Sequence, residues 1–277
     1  MDKKSEFKQI NNDLSLIEFL EGAGHSHNYF HHYTNLDSLI EIIKNKTLLL
    51  TKGDSLKIND QHEWQSKGCI SVWEKTYIGS FAFGKNENMA MWGLYCLPWE
   101  DAVRISIPKK YMEQWINNIN SVFPYNDSIS SNPITPSECK LTDIIYINRE
   151  GTDIYWNDTG IKMKEHNIEG IDKSEIITGL IKSNAWKYEN EVRILVRLSN
   201  PIIGDRIAIT IPDEVINNMV IQTGPYFHGN IKERIDDLFT KDNYKRYDNS
   251  SFTNLVKFRS LCSLCRYDHF LKKTSKY

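Results

Sequence analysis

Trp186-Lys187-Tyr188-Glu189-Asn190-Glu191-Val192-Arg193-Ile194-Leu195-Val196 decides how this chain is read. It is a short polar entry followed by a strand. Val192, Ile194 and Val196 alternate with Glu191, Arg193 and Leu195, the period of a half-buried strand. In that register Val192, Ile194 and Val196 face the core. Glu191 and Arg193 face the other way, toward solvent or a cleft. If the extended form begins earlier, Glu189 shares their face, about 7 Å from Glu191 by strand rise. Two carboxylates so spaced can act on one substrate, one positioning and one polarising it. The plainer alternative is a solvated strand edge with a cross-strand ion pair.

The chain of 277 residues is long enough for one large domain or two small ones. Hydrophobic residues make up 40% and charged residues 25%, which is ordinary globular usage. A net charge of −2 argues against nucleic-acid binding by bulk charge, while 34 Lys and Arg leave room for a local basic face. No apolar run is long enough to span a membrane, and Met1-Asp2-Lys3-Lys4 leads into no secretory signal. Cys69, Cys96, Cys139, Cys262 and Cys265 are an odd, sparse set, which points to free thiols and the cytoplasm. Cys262-Ser263-Leu264-Cys265 has C-x-x-C spacing with His269 behind it, but a zinc site needs a second pair. No metal is expected there.

Outward from the central stretch, residues 1–28 read as an N-terminal helical extension and 29–277 as a single domain. Leu14, Ile17, Phe19 and Leu20 suggest the appended helix, with His25 and His27 as solvated loop residues behind it. Tyr29 to Thr34 is β-prone, and Asn35 can cap a helix whose apolar positions are Leu36, Leu39, Ile40 and Ile43. Thr47 to Thr51 is a short strand. His32 sits beside Tyr33 and Thr34 at the strand-to-helix turn, where a side chain can reach a ligand. Asn59-Asp60 lies in a polar loop and reads as a tight turn.

Tyr77 to Phe83 is a strand and Met89 to Tyr95 a short helix, with Trp92 and Tyr95 on one face as core or as the wall of a pocket for a planar ring. Ala102 to Ile107 is a strand, Lys109 to Ile119 a helix, Ser121 to Glu138 a loop and Leu141 to Ile147 β-prone. Ile171 to Ser183 reads as a helix delivering the chain to Trp186. Ile207 to Ile211 is a strand, a helix opened by Pro212 ends at Asn217-Asn218, and Met219 to Thr223 is a strand. Ile231 to Phe239 reads as a helix and Val256 to Leu264 as a final strand. No phosphate-binding glycine fingerprint is present. The class is α+β.

Four landmarks stand in order: His32-Tyr33-Thr34, Asn59-Asp60, Met91-Trp92-x-x-Tyr95 and Trp186-x-Tyr188-Glu189-x-Glu191-x-Arg193. Over roughly residues 29–260 this order resembles a bacterial family of unknown-function domains, itself similar at longer range to the ADP-ribosyltransferases of the His-Tyr-Glu type. The resemblance implies a split β-sheet core with flanking helices and NAD as substrate. His32 matches the His of the first core strand, Tyr95 the central aromatic and Glu191 the Glu heading a later strand. Asn59-Asp60 has no counterpart in the classical transferases.

On that resemblance Glu191 holds the ribose and stabilises the positive charge that builds as the nicotinamide–ribose bond breaks. Glu189 orients or deprotonates the acceptor. Tyr95, with Trp92 or Tyr33, stacks on the nicotinamide. His32, with Tyr33 and Thr34 beside it, contacts a ribose hydroxyl. Arg193 pairs with the pyrophosphate or fixes Glu191, with Arg104 and Lys52 as weaker phosphate candidates. The resemblance also implies a toxin or anti-phage effector, a macromolecular acceptor (RNA or other nucleic acid, or protein) and an inhibitory antitoxin-like partner, with no membrane. An NAD glycohydrolase and a non-catalytic protein- or RNA-binding module are the alternatives.

Overall fold

The computed structural model describes residues 27–53, 70–84, 86–126, 128–130, 132–147, 154–157, 160–163, 179–228, 231–235 and 247–249. The expected N-terminal helix, Asn59-Asp60, Cys262-x-x-Cys265 and the strand expected at 256–264 lie outside them.

β1 (Tyr29–Asn35) runs into α1 (Leu36–Asn45) and β2 (Thr47–Lys52). The Asn35 side chain accepts the Ser38 N–H at 2.9 Å, satisfying an otherwise orphaned helix-start donor. Leu36, Leu39 and Ile43 bury one stripe of α1, and Lys46 ends it in the left-handed region at φ 50. α2 (Ile70–Trp73), β3 (Thr76–Phe83), α3 (Met89–Tyr95), β4 (Ala102–Pro108) and α4 (Lys109–Asn117) follow. Next come β5 (Phe123–Asn126), β6 (Ser128–Ile129), β7 (Glu138–Asp143), β8 (Ile145–Ile147) and a hairpin of β9 (Ile154–Asn157) with β10 (Gly160–Met163). The described chain closes with β11 (Ile181–Ser183), β12 (Glu191–Arg197), β13 (Arg206–Thr210), α5 (Asp213–Asn218), β14 (Val220–Thr223), α6 (Ile231–Ile235) and β15 (Tyr247–Asn249).

The main sheet runs β15-β14-β4-β1-β3-β2-β13-β5-β6, with β12 also on β3 and β7 outside β12. Its pairings are antiparallel except β14 with β15, and helices pack on it, so the class is α+β. β12 occupies one whole edge of β3, from Glu191↔Ala82 to Arg197↔Thr76. β1 and β2 must therefore share the other edge. β1 holds its far end at His31↔Ala82 and Phe30↔Phe83, and β2 its near end at Thr51↔Ile78 and Lys52↔Tyr77. Between those contacts the two strands part, and among the described residues no strand lies beside the edge of β3 at Gly79–Phe81. The sheet splits there.

Cross-strand neighbours share a face, so register sorts the side chains. Phe30, Tyr77, Phe81, Ile105, Ile107, Val192, Ile194 and Val196 form one buried face with Leu39, Met112, Trp115 and Val215 of the helices. His31, Tyr33, Ser80, Arg104, Ser106, Glu191 and Arg193 populate the opposite face. In one row Ser106, His31, Ala82 and Glu191 lie directly across from one another. Among the described residues no helix is long and apolar enough to cross a membrane.

Two expected elements are corrected. Residues 181–183 are not the end of a helix: they form β11, parallel to β8. Ile181-Lys182-Ser183 is too short to carry a period that separates strand from helix. Ser121 to Glu138 is not wholly loop, since β5 and β6 extend the sheet from β13 and Val122 bridges Ile134. His27 is not a solvated loop residue either. Its ring stacks on Phe83 at 3.6 Å and its Nε2 lies 3.6 Å from the Asp143 carboxylate.

Candidate active site

A cavity of about 260 Å³ opens at the split, walled by His32, Ser80, Tyr95, Lys182, Glu189, Glu191 and Arg193, among others. Glu191 is the first residue of β12 and is 3% exposed. Its Oε1 accepts from Ser80 Oγ at 2.6 Å and Arg193 Nε at 2.8 Å. Its Oε2 accepts from Arg193 Nη2 and Lys182 Nζ, both at 3.1 Å. Its backbone N–H donates to the Tyr146 hydroxyl at 2.8 Å. Burial pushes the Glu191 carboxyl up, but the adjacent Arg193 and Lys182 charges win and hold it at about 2. It is a carboxylate at any physiological pH.

Glu189 reaches this site by a turn rather than by an earlier start to the strand. Asn184–Glu189 is a 3-10 helix, and Asn190 reverses the chain in the left-handed region at φ 46. Asn tolerates that conformation better than most residues. The turn brings Glu189, 3% exposed, beside Tyr95 and Lys182. The Tyr95 hydroxyl donates to Glu189 Oε1, and Lys182 Nζ donates to Oε2 at 2.5 Å. Burial and the Glu189 carboxylate both raise the Tyr95 phenol, so it stays protonated as a donor. The carboxylates are thus bridged by one ammonium that also lies 5.1 Å above the Trp186 ring. Lys182 and Ser80 were not singled out from sequence. Neither carries a motif of its own, and only the fold brings β11 and β3 to Glu191.

Arg193 donates Nη1 to the Gly179 carbonyl at 2.9 Å, so the geometry favours fixing Glu191 over holding a pyrophosphate. Gly179 sits at φ +84, and an added Cβ would lie 2.8 Å from Leu195 Cδ1. Gly179→Ala is therefore expected to cost about 1–3 kcal/mol of stability through backbone strain and overpacking, checked by urea unfolding.

His32 stands in the split itself. Phe83 N–H bonds to Asn190 O across to β12, so alternation turns the Ser80 carbonyl to the opposite edge, where β1 and β2 have parted. His32 Nδ1–H donates to that carbonyl at 3.0 Å. Burial lowers the His32 pKa, so the ring is neutral with Nε2 as an acceptor. On its other side the split leads to a larger cavity of about 720 Å³, which shares His32, Leu48, Leu49 and Thr51 with the first.

The remaining expected contacts divide. Tyr33 lines the first cavity, but its ring packs edge-on against Trp92 at 4.9 Å and its hydroxyl accepts from Arg104 Nη1 at 3.3 Å. Trp92 does not wall the cavity. It is 3% exposed, with Nε1 donating to Glu87 at 3.1 Å, because the helical face it shares with Tyr95 packs under the sheet before Tyr95 emerges. Thr34 faces the larger cavity. Arg104 is buried beneath Tyr33 and does not line the first cavity. Cys96 and Cys139 have their thiols raised to about 12 by burial, which removes them as nucleophiles. Among the described residues no group of three or more His, Cys, Asp or Glu is placed to hold a metal.

His31, which the sequence did not single out, backs the site. Its Nε2–H donates to Gly84 O and its Nδ1 accepts from the Ser106 hydroxyl, both at 2.8 Å. Burial, then Arg104, lower its pKa from 6.5 to about 4. The folded state favours the neutral ring, so this stability is present above pH 6.5 and is lost as pH falls toward 4. The loss is about 3 kcal/mol. Unfolding free energy measured against pH is expected to flatten over that window in His31→Gln.

No family model, curated protein or solved structure matches this chain.

Proposed function

We propose that the chain is an NAD-dependent ADP-ribosyltransferase whose split sheet is an ADP-ribosyltransferase-like core. The observation that carries this reading is the convergence of Glu191, Glu189 and Tyr95 on one cavity at the split, which His32 reaches from the other face of the sheet, in register with Ile105 and with its ring 5.3 Å from that of Phe81. The strands bearing Glu191, Ser80 and His32 lie side by side, in the order β12-β3-β1.

In this reading NAD enters with its nicotinamide ribose toward Glu191. The C–N bond breaks, its electron pair leaves with nicotinamide, and the ribose ring becomes oxocarbenium-like. Glu191, ionised and preorganised by Arg193 and Ser80, stabilises that charge and accepts from a ribose hydroxyl. His32 Nε2 accepts from a second hydroxyl. Tyr95 packs against the nicotinamide ring. The acceptor group forms the new bond to the ribose carbon and loses its proton to Glu189.

The test is incubation with NAD labelled on the adenylate plus a cell lysate, beside Glu191→Gln, followed by protease or nuclease digestion. Label in a protease- or nuclease-sensitive fraction, lost in the variant, supports the transferase and assigns the acceptor to protein or nucleic acid. Nicotinamide release with free ADP-ribose as the only product would make the chain a glycohydrolase. Neither label nor nicotinamide release from folded protein would overturn the reading and leave a binding module.

A further inference from the structure

Glu191 has a substrate-access problem. A carboxylate offers about four lone-pair positions, and four donors already fill them: Ser80 Oγ, Arg193 Nε, Arg193 Nη2 and Lys182 Nζ. A ribose hydroxyl bonds to Glu191 only if one donor leaves. Arg193 is fixed by its fork on Glu191 and by the Gly179 carbonyl. Lys182 has an alternative: it is closer to Glu189, at 2.5 Å, than to Glu191, at 3.1 Å, and the Trp186 ring faces its ammonium. It keeps a charge partner if it gives Glu191 up.

We propose that Lys182 is a positioning residue that clamps Glu189 and Glu191 together and releases Glu191 to the substrate hydroxyl. The proposal rests on the transferase reading for its substrate but not for its electrostatics.

Among the described residues, charged and titratable groups face Lys182 from four elements. Glu189 and Tyr188 come from the 3-10 turn, and Glu191 and Arg193 from β12. Tyr95 comes from α3, and Tyr146 from β8, directly across from Lys182. Two carboxylates face two cations, so the pocket is formally neutral, and removing Lys182 leaves one uncompensated negative charge. Burial alone would lower the Lys182 pKa, but the carboxylates outweigh it and raise it. Lys182 is therefore a fixed cation and no nucleophile. Its removal makes Glu191 easier to protonate, by about 1–3 pH units for loss of an adjacent opposite charge.

The experiment uses the full chain with Lys182→Met, Lys182→Gln and Lys182→Arg. The glutamate carboxyl carbons are ¹³C-labelled, and the Glu191 signal is the one missing from Glu191→Gln. Its titration is followed by NMR, and nicotinamide release from NAD is followed against pH. Lys182→Met is expected to move the Glu191 titration, and with it the acid limb of the rate profile, up by about one pH unit or more. Lys182→Arg is expected to restore both. Lys182→Gln, which keeps an N–H donor without charge, serves if Lys182→Met does not fold, with the same upward shift expected. An unmoved Glu191 titration in a folded, uncharged variant overturns the clamp. If the wild type releases no nicotinamide at any pH, the transferase reading fails while the titration still decides the clamp.

Discussion

Glu191→Gln is expected to reduce ADP-ribosyl transfer by about 10²–10³-fold, equivalent to about 3–4 kcal/mol of barrier. The amide keeps the size of the carboxylate and removes the charge that opposes the oxocarbenium. It also places an NH₂ where Glu191 now accepts from Arg193 or Lys182, setting donor against donor inside a buried site. Some stability is lost as well, so transfer is measured well below the midpoint of a thermal melt recorded on the same sample. The loss belongs in kcat and kcat/KM together, because the interaction strengthens only as charge develops on the ribose. A folded Glu191→Gln that transfers label at the wild-type rate would sink the assignment.

The largest stability effect is expected at Arg193. Its guanidinium is 3% exposed and holds Glu191 through Nε and Nη2 while Nη1 binds the Gly179 carbonyl. Arg193→Met removes one partner of a buried pair. Glu191 is left with Lys182 and Ser80 alone, and a buried carbonyl loses its donor. Breaking such a pair costs about 3–5 kcal/mol. For a domain of this size that is on the order of 10 °C in melting temperature. Arg193→Lys is expected to recover only part, since a single ammonium does not reproduce the planar fork. Urea unfolding of the three proteins measures it, and a cost below about 1 kcal/mol for Arg193→Met would mean that the pair contributes little.

The local elements were legible because their signals are local. Asn35 as a cap, the Leu36–Leu39–Ile43 stripe, Pro212 before α5 and the core-facing set Val192, Ile194 and Val196 all appear as read, but β12 is buried on both faces rather than half-buried. The errors fall where local signals conflict or run out. The short run 181–183 carries no decisive period, and the polar stretch 121–138 takes part of its structure from the partner strand β13 rather than from its own propensity. Trp92 was ambiguous for a related reason. Helical spacing puts it on one side with Tyr95, but only packing decides that Trp92 stops beneath Tyr33 while Tyr95 reaches Glu189.

By itself the sequence determined the core-facing set of β12, the Asn35 cap of α1, the limits of α3 and the placement of Glu191 and Arg193 on one face of β12. These follow from backbone geometry over a few residues. Only the tertiary structure decided that β1 and β2 divide one edge of β3, that His32 answers the Ser80 carbonyl left open there, and that Lys182 joins Glu189 to Glu191. Those facts depend on strand order and register between segments far apart in the chain. Buried charge then holds only where the fold assembles all of its partners together.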